Sequence, residues 1–380
     1  LRGEQTDRIP YFENYIGEKI VEFILGYHAG NTAAAIGDPY RGDQRAIVDG
    51  GRCIPMHPKD WIKICKAIGQ DVIMMETCFA PYKIIDENGN RTIVNDGRIK
   101  NRKDWEEKVI HPTDEDIDES MKYLSEYIEA AKNENIAVAF ATGNMFITHY
   151  VNLNGFDFFT LIYDDMDFVN EMLTVTSDWF TKLITKAVNA GVDILFSGDD
   201  VAYKTGTMMD PVLFKKMYRR YAEKMYRPAL EANVPIIFDC DGNPTEIMDM
   251  MIDLGCSAHF PVDSCGLDCL EHKKRWGDKL TLIGVLDLDP LIRLSPKDVE
   301  KYVKEVVLSM KEGGRYIAGT ITAIDEIPIE NIGAGLLIYL RVGEERVVVT
   351  NDRVEGEINC NTKCKIYINP DKIHDYNTQT

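Results

Sequence analysis

The segment VPIIFDCDGNPTEI, residues 234–247, ends an apolar run on two carboxylates and a thiol. Side chains along a strand alternate between faces, so Asp239 and Asp241 share one face and Cys240 lies on the other. Carboxylates held together in a low dielectric repel, so one keeps its proton and can act as a general acid, or a cation neutralises them. The pattern predicts a functional pair, and the plain alternative is that aspartates cap the following helix.

Other apolar runs also end on polar side chains, which include Asn144, Asp199, Asp200, Asp263, Asp287 and Thr320. Capping is the simpler explanation for Asp199 or Asp200 alone. His259, flanked by apolar residues, is either a site residue or a satisfied core histidine. Three aromatic residues near these strand ends either line a ligand pocket or serve only in packing: Phe146, Tyr150 and Tyr203.

The elements that must position these residues are short apolar strands separated by helices of ten or more residues. Strands that are apolar on both faces indicate a parallel sheet covered by helices on both sides. Six such strands after residue 136, with 8–12 and 71–77, bring the number to eight. We therefore predict an α/β fold, a single (β/α)8 TIM barrel over residues 1–343 with an N-terminal extension.

The alternation around Asn88-Gly89 predicts a β-hairpin inserted at the barrel rim. Residues 344–380 form a polar C-terminal tail that has no assigned structure. The chain starts at Leu1, and a short preceding N-terminal piece is expected.

Composition narrows the class of partner. The net charge is −19 over 380 residues, which argues against nucleic acid or an anionic membrane surface. No run reaches the ~18 apolar residues of a membrane helix. Nine cysteines in a chain of this length favour reduced thiols and a cytoplasmic location. Two pairs with spacing four would suit a structural zinc only weakly: Cys265 with Cys269, and Cys360 with Cys364.

The order of several motifs resembles the uroporphyrinogen decarboxylase superfamily over nearly the whole chain. The motifs are DRIP near the start, GVDILFSGDDVAYKTGTMMDP, FDCDGNPTEIMDMMIDLGCSAHFPVD, KRWGDKLTLIGVLDLDPLIRLSPKDVEKYV and GGRYIAGTITAIDEIPIENI. The resemblance implies a (β/α)8 barrel with its site at the carboxyl ends of the strands.

The chain departs from two branches of that superfamily. Uroporphyrinogen decarboxylases carry an arginine-rich loop near the N-terminus and a histidine after the last strand, where this chain has YFENYIGEKI and AGTITA. Coenzyme M methyltransferases carry His-x-Cys and a later cysteine, where this chain has Asp239-x-Asp241 and Thr320. Carboxylates are harder ligands than thiolates and suit an oxygen better than a sulfur.

The resemblance thus implies a methyltransferase that moves a methyl group from a small methoxylated or methylated substrate to a corrinoid carried by a partner protein. A metal, with zinc as the hypothesis, or a proton assists departure of the methyl donor. A decarboxylase-like lyase and a non-catalytic barrel that binds a tetrapyrrole or another small molecule stay open, as does a homodimer. The predicted roles are catalysis by Asp239, Asp241 and Asp200, substrate binding by Asn144, Phe146, Tyr150 and Tyr203, and metal binding by Asp239, Asp241, His259 and Asp263.

Overall fold

The computed structural model describes residues 1–30, 56–76, 99–143 and 145–322, without residues 5, 110 and 112. It also describes the short pieces 32, 46–48, 51–53, 83–85, 91–93, 324, 327–328 and 331–332. Asn144 and the predicted tail 344–380 lie outside the described residues.

The strands, in chain order, are β1 (Ala46–Val48), β2 (Gly51–Cys53), β3 (Val72–Glu76), β4 (Lys83–Ile85), β5 (Arg91–Ile93), β6 (Ala137–Gly143), β7 (Ile194–Gly198), β8 (Ala202–Tyr203), β9 (Gly206–Thr207), β10 (Ile236–Asp239), β11 (Cys256–Val262), β12 (Thr281–Leu286) and β13 (Tyr316–Thr320). The first half of the chain contributes the helices α1 (Glu18–Leu25), α2 (Pro58–Ile68), α3 (Arg102–Lys108), α4 (Asp114–Met121), α5 (Leu124–Ala131), α6 (Met145–Ile147), a π-helix (Thr148–Leu153), α7 (Asp157–Asp164) and α8 (Met166–Ala190). The second half contributes α9 (Pro211–Glu231), α10 (Met248–Asp253), α11 (Cys269–Trp276), α12 (Leu288–Arg293) and α13 (Pro296–Met310).

A parallel sheet of seven strands forms the centre of the described structure, in the order β13-β12-β11-β10-β7-β6-β3. Its inner face is aromatic: the rings of Phe196 and Phe260 lie 5.6 Å apart, and Phe12 lies 5.9 Å and 5.5 Å from them. Because all strands run the same way, their carboxyl ends meet at one edge of the sheet. Side chains at these ends are therefore brought together.

The N-terminal segment 10–12 connects the two edge strands of the sheet. Phe12 N donates to Ala318 O at 3.0 Å, Ala318 N donates to Pro10 O at 2.9 Å, and Asp71 N donates to Tyr11 O at 3.1 Å. Pro10 has no N–H, so this segment pairs only locally and forms an isolated bridge where we predicted a full strand. The observed fold is a curled sheet of seven described strands, and the eight-stranded barrel stays a prediction.

Helices cover the outer face of the sheet, and their starts follow the sequence signals. Ser295 caps α13, with its hydroxyl accepting from Asp298 N and Pro296 at the first turn, as predicted. The longest helices, α8 and α9, bury apolar stripes that include Leu183 and Met225. In the part of the chain that the structure describes, no helix combines the length and apolar character needed to cross a bilayer.

The predicted hairpin region contains an antiparallel pair. β4 pairs with β5 through Lys83 with Ile93 and Ile85 with Arg91. Asn88-Gly89 and the contacts of this pair with the rim lie outside the described residues.

Candidate active site

Asp239 ends β10 on the inner face of the sheet. It lies in register with Gly198 on one side and Phe260 on the other, and Phe260 packs in the aromatic interior. A Cβ added at Gly198 would lie 3.0 Å from Asp239 Oδ2, so the glycine leaves the space that the carboxyl group occupies. The sheet thus directs Asp239 inward at the carboxyl ends of the strands.

Asp200 and Asp241 join Asp239 from adjacent strand ends. Asp241 N donates to Asp200 Oδ1 at 2.9 Å, which connects the chain after β10 to the chain after β7. Asp263, after β11, is close enough to raise the pKa of Asp241. Glu76 ends β3 and raises the pKa of Asp239 across the sheet. We call Glu76, Asp200, Asp239 and Asp241 the acidic cluster.

The acidic cluster favours protonated carboxyl groups. Desolvation, followed by repulsion from Asp200 and Asp241, raises the pKa of Asp239 well above its usual range. Desolvation raises the pKa of Glu76 to about 7, and desolvation with Asp200 and Asp263 raises that of Asp241 to about 6. Both side chains reach solvent, yet the protein atoms around them reduce the solvation of their charges. Burial and mutual repulsion therefore favour retention of a proton in the acidic cluster over full ionisation.

The donor set of this site is a poor match for zinc. Among the described residues, no group of three His, Cys, Asp or Glu side chains is arranged to hold a metal ion. Within the same residues, no lysine or arginine forms an ion pair with the acidic cluster. Zinc sites ordinarily draw on histidine and cysteine, and Cys240, the cysteine between Asp239 and Asp241, is fully buried with its thiol pKa raised well above the usual value, which disfavours the thiolate that zinc binds. We therefore derive no chemical step through a metal.

The structure places the His259 side chain away from the acidic cluster, and its metal role stays a prediction that its contacts do not support. Its Nδ1 lies 3.2 Å from His272 Nε2, and its Nε2 lies 3.3 Å from the carbonyl oxygen of Cys240. His259 pairs with Phe238, and Phe260 pairs with Asp239, so His259 lies on the face of the sheet opposite to Asp239. His259 is a buried core histidine beside α11, whereas Asp263 lies near Asp241.

We expect His259→Leu to lower the free energy of unfolding by about 1–3 kcal/mol, because His272 and the Cys240 carbonyl each lose a hydrogen-bond partner. Zinc uptake by the purified protein should match that of the wild type. Urea unfolding and metal analysis after incubation with zinc measure the two effects. Zinc that the wild type binds and the variant loses would return His259 to the ligand set.

Glu76→Gln should change how stability depends on pH. The folded pKa of Glu76 is raised from the ordinary 4.5 to about 7, so the folded protein keeps a proton that the unfolded chain has lost. Wild-type stability should therefore fall relative to Glu76→Gln as pH rises through this interval. Urea unfolding of both proteins across the interval measures the difference between their free energies of unfolding. Buried histidines with lowered pKa contribute in the opposite direction, but they are present in both proteins and cancel in this difference. A constant difference would contradict the assignment.

The predicted aromatic residues divide into two groups. Tyr150 is half-buried, and its hydroxyl donates to Asp200 O at 2.7 Å. Tyr203 is 49% exposed on the short β8–β9 pair, and its carbonyl accepts from Asn243 N at 2.8 Å. Phe146 is only 1% exposed and packs in an aromatic group, and its role in binding substrate stays a prediction. Its ring is enclosed by Tyr150, Phe158, Phe159 and Phe214.

Two acidic residues at the site were not predicted. Glu76 was missed although it ends the apolar run VIMME, the same signal that singled out Asp239. Asp199 was treated as a cap, and it is fully buried behind the acidic cluster. Asp287, at the end of β12, does cap α12 by accepting from Asp289 N at 3.0 Å. Cys360 and Cys364 lie outside the described residues.

The protein has a curled parallel α/β sheet with inward carboxyl groups at the carboxyl ends of its strands. This arrangement is typical of barrel-like α/β proteins, which have their functional site at that edge of the sheet. The family model described as uroporphyrinogen decarboxylase (URO-D) matches residues 86–334. The chain therefore belongs to the uroporphyrinogen decarboxylase family. Comparison with curated proteins gave no match.

Solved structures share the fold. A methyltransferase from Methanosarcina mazei is similar with a TM-score of 0.59 and 15% identity, over 89% of this chain and 95% of that chain. A B12-independent methionine synthase from Shewanella sp. W3-18-1 has a TM-score of 0.41 and 9% identity, over 57% of this chain and 66% of its own. At these identities the similarity to the first structure shows the fold.

Proposed function

We propose that this protein is a methyltransferase that moves a methyl group from a small O-methyl or N-methyl donor to a corrinoid on a partner protein. The supporting observation is the acidic cluster, in which Asp241 N is hydrogen-bonded to Asp200 and in which burial with neighbouring carboxyl groups raises the pKa of Asp239. Family membership and the fold shared with the Methanosarcina mazei methyltransferase agree with this class of enzyme.

Departure of an oxygen leaving group is the step that the acidic cluster fits best. A corrinoid presented by its carrier would supply the nucleophile for the methyl carbon. As the carbon–oxygen bond breaks, its electron pair stays on the oxygen, which takes a proton from Asp239. Desolvation, with repulsion from Asp200 and Asp241, raises the pKa of Asp239 and so favours the protonated acid. The acid is thus available without a metal.

Two tyrosines are suited to hold the donor beside Asp239. Tyr150 donates its hydroxyl to Asp200 O, which holds this half-buried side chain next to a member of the acidic cluster. Tyr203 presents an exposed ring on the β8–β9 pair. Aromatic rings bind planar aromatic donors by stacking and bind methylated ammonium groups by cation–π attraction.

Decarboxylation of a porphyrinogen is the second candidate, because the family is described as uroporphyrinogen decarboxylase. The substrate carries many carboxylates, and it would meet an acidic cluster on a chain of net charge −19. Like charges facing each other across a binding site oppose association. The electrostatics of the described site therefore favour a neutral or cationic methyl donor.

The test is an assay of the purified protein with chemically reduced cob(I)alamin in place of the corrinoid protein. The donors are 2-methoxyphenol for O-methyl and tetramethylammonium for N-methyl transfer. We expect methylcobalamin to form, by absorbance, faster than without protein. No methylcobalamin with either donor, together with release of carbon dioxide from uroporphyrinogen, would replace this proposal by the second candidate.

A further inference from the structure

Asp199 joins three elements directly behind the acidic cluster. It follows β7, is 0% exposed, and accepts at Oδ1 from Ile147 N at 2.7 Å. The Phe146 backbone and the Tyr218 hydroxyl, on α9, lie close enough to the carboxyl group to lower its pKa, while Oδ2 itself is buried and makes no hydrogen bond among the described residues. Ser197, two residues earlier on the same face, contacts Tyr226 of α9, so Asp199 faces the helices and not the substrate.

The segment 145–153 contains Ile147, whose amide donates to Asp199. It consists of α6 followed by the π-helix Thr148–Leu153 and carries Tyr150. The first amides of a helix lack partners within the helix, and a carboxyl oxygen supplies one. A π-helical turn is rare and is frequent at functional sites. The start of the segment therefore depends on an acceptor that belongs to another strand.

A second bond connects the same segment to the next residue of the chain. Tyr150 OH donates to the carbonyl oxygen of Asp200 at 2.7 Å, three residues along the helix from the Ile147 amide. Asp199 and Asp200 thus hold the segment at two points, one by a side chain and one by the backbone. Asp200 Oδ1 also accepts a hydrogen bond from Asp241 N, so the end of β7 positions both the acidic cluster and Tyr150.

We propose that Asp199 is a positioning residue, which holds segment 145–153 so that Tyr150 stays beside the acidic cluster. It acts through Tyr150 and does not touch the substrate. That the held segment faces the methyl donor rests on the proposed function. The hold on the segment itself rests only on the contacts of Asp199.

The chemistry of the site indicates that the neutral acid is sufficient for this role. Burial raises the pKa of Asp199 to about 8, partly offset by its hydrogen bonds. The described titratable groups around it carry no positive charge: Tyr150, Asp200, Tyr218, Tyr226, Asp239 and Cys240. The carbonyl oxygen of an asparagine accepts a hydrogen bond as a neutral carboxyl group does. Asp199→Asn should therefore replace it.

The chain offers a matched control at the opposite end of the same strands. Asp193 precedes β7, and its Oδ2 accepts from Val138 N of β6 at 2.8 Å. Asp193→Ala also removes one bond between a carboxyl group and a backbone amide, but at the amino ends of the strands. Comparison with Asp193→Ala therefore separates the effect of losing one hydrogen bond from the effect of displacing segment 145–153 at the site.

Hydrogen–deuterium exchange of peptides covering 145–153 tests the inference without a substrate. We expect exchange there to be about five- to tenfold faster in Asp199→Ala than in the wild type, with Asp199→Asn and Asp193→Ala close to wild type. Unchanged exchange of 145–153 in a folded Asp199→Ala protein would overturn the inference. Equal acceleration across the chain in Asp199→Ala and Asp193→Ala would also overturn it, by showing a general loss of stability.

Kinetics supply the second readout. With cob(I)alamin and 2-methoxyphenol, Asp199→Ala should raise the KM for the donor about tenfold, with a smaller change in kcat, because Tyr150 moves. Asp199→Asn should restore the wild-type KM. A normal KM in Asp199→Ala would contradict the positioning role. Absence of transfer by the wild type would count against the proposed function, and the exchange measurement would still decide the role of Asp199.

Discussion

Asp239→Asn is expected to reduce the rate of methyl transfer by about 10²–10⁴-fold, the usual contribution of a general acid. Asparagine has the same shape and no charge, but it has no acidic proton to give to the leaving oxygen. Because Gly198 leaves the space for this side chain, the variant should keep the fold. Methylcobalamin formation from 2-methoxyphenol, compared with the wild type at equal protein concentration, measures the loss.

Asp210→Asn is the control for that substitution. Asp210 caps α9 by accepting from Leu213 N at 2.8 Å. The variant replaces an aspartate by an asparagine, as Asp239→Asn does, but at a position away from the acidic cluster. We expect its rate to stay within about twofold of the wild type, since the amide oxygen still caps the helix. Equal losses in the two variants, or a normal rate in Asp239→Asn, would remove Asp239 from the mechanism.

Gly319→Ala is expected to lower the free energy of unfolding by about 3 kcal/mol or more. A Cβ at this position would overlap the carbonyl oxygen of Phe12. Phe12 and Ala318 are hydrogen-bonded, so the added methyl group pushes apart the contact that connects the N-terminal segment to β13. Backbone atoms on both sides cannot move away as a flexible side chain could. Urea unfolding measures the change.

Gly143→Ala is the matched control, because among the described residues a Cβ there would meet only Phe180 Cζ, at 3.9 Å. Its free energy of unfolding should differ from that of the wild type by less than about 0.5 kcal/mol. If Gly319→Ala proves as stable as Gly143→Ala, the N-terminal segment does not close against β13 in the way described.

The alternation of apolar strands and helices predicted most of the parallel sheet. Each of β6, β7, β10, β11, β12 and β13 falls within an apolar run identified in the sequence. The first segment, 8–12, had the composition of a strand, but pairing requires N–H donors, and Pro10 has none. Composition could not reveal that this segment bonds to Ala318 of β13 and to Asp71, directly before β3, which both lie more than 50 residues away in sequence.

The candidate site was predicted less completely, for two physical reasons. Strand parity predicted the inward direction of Asp239, but parity holds only while the register is regular. The register of β11 shifts between His259 and Val262, so the face of Asp263 does not follow from that of His259. Glu76 lies more than 160 residues from Asp239 in sequence, and only the strand order shows that they interact. Local patterns identify candidates, while proximity depends on the whole sheet.

The direct test of the account is the protonation state of Asp239 at pH 7. The infrared difference spectrum of wild type minus Asp239→Asn reports one carboxyl group. We expect a carbonyl stretch of a protonated carboxylic acid in that difference spectrum, because desolvation and the neighbouring carboxyl groups raise the pKa of Asp239. A difference that contains only the bands of an ionised carboxylate would contradict it, since Asp239 would then have no proton to donate.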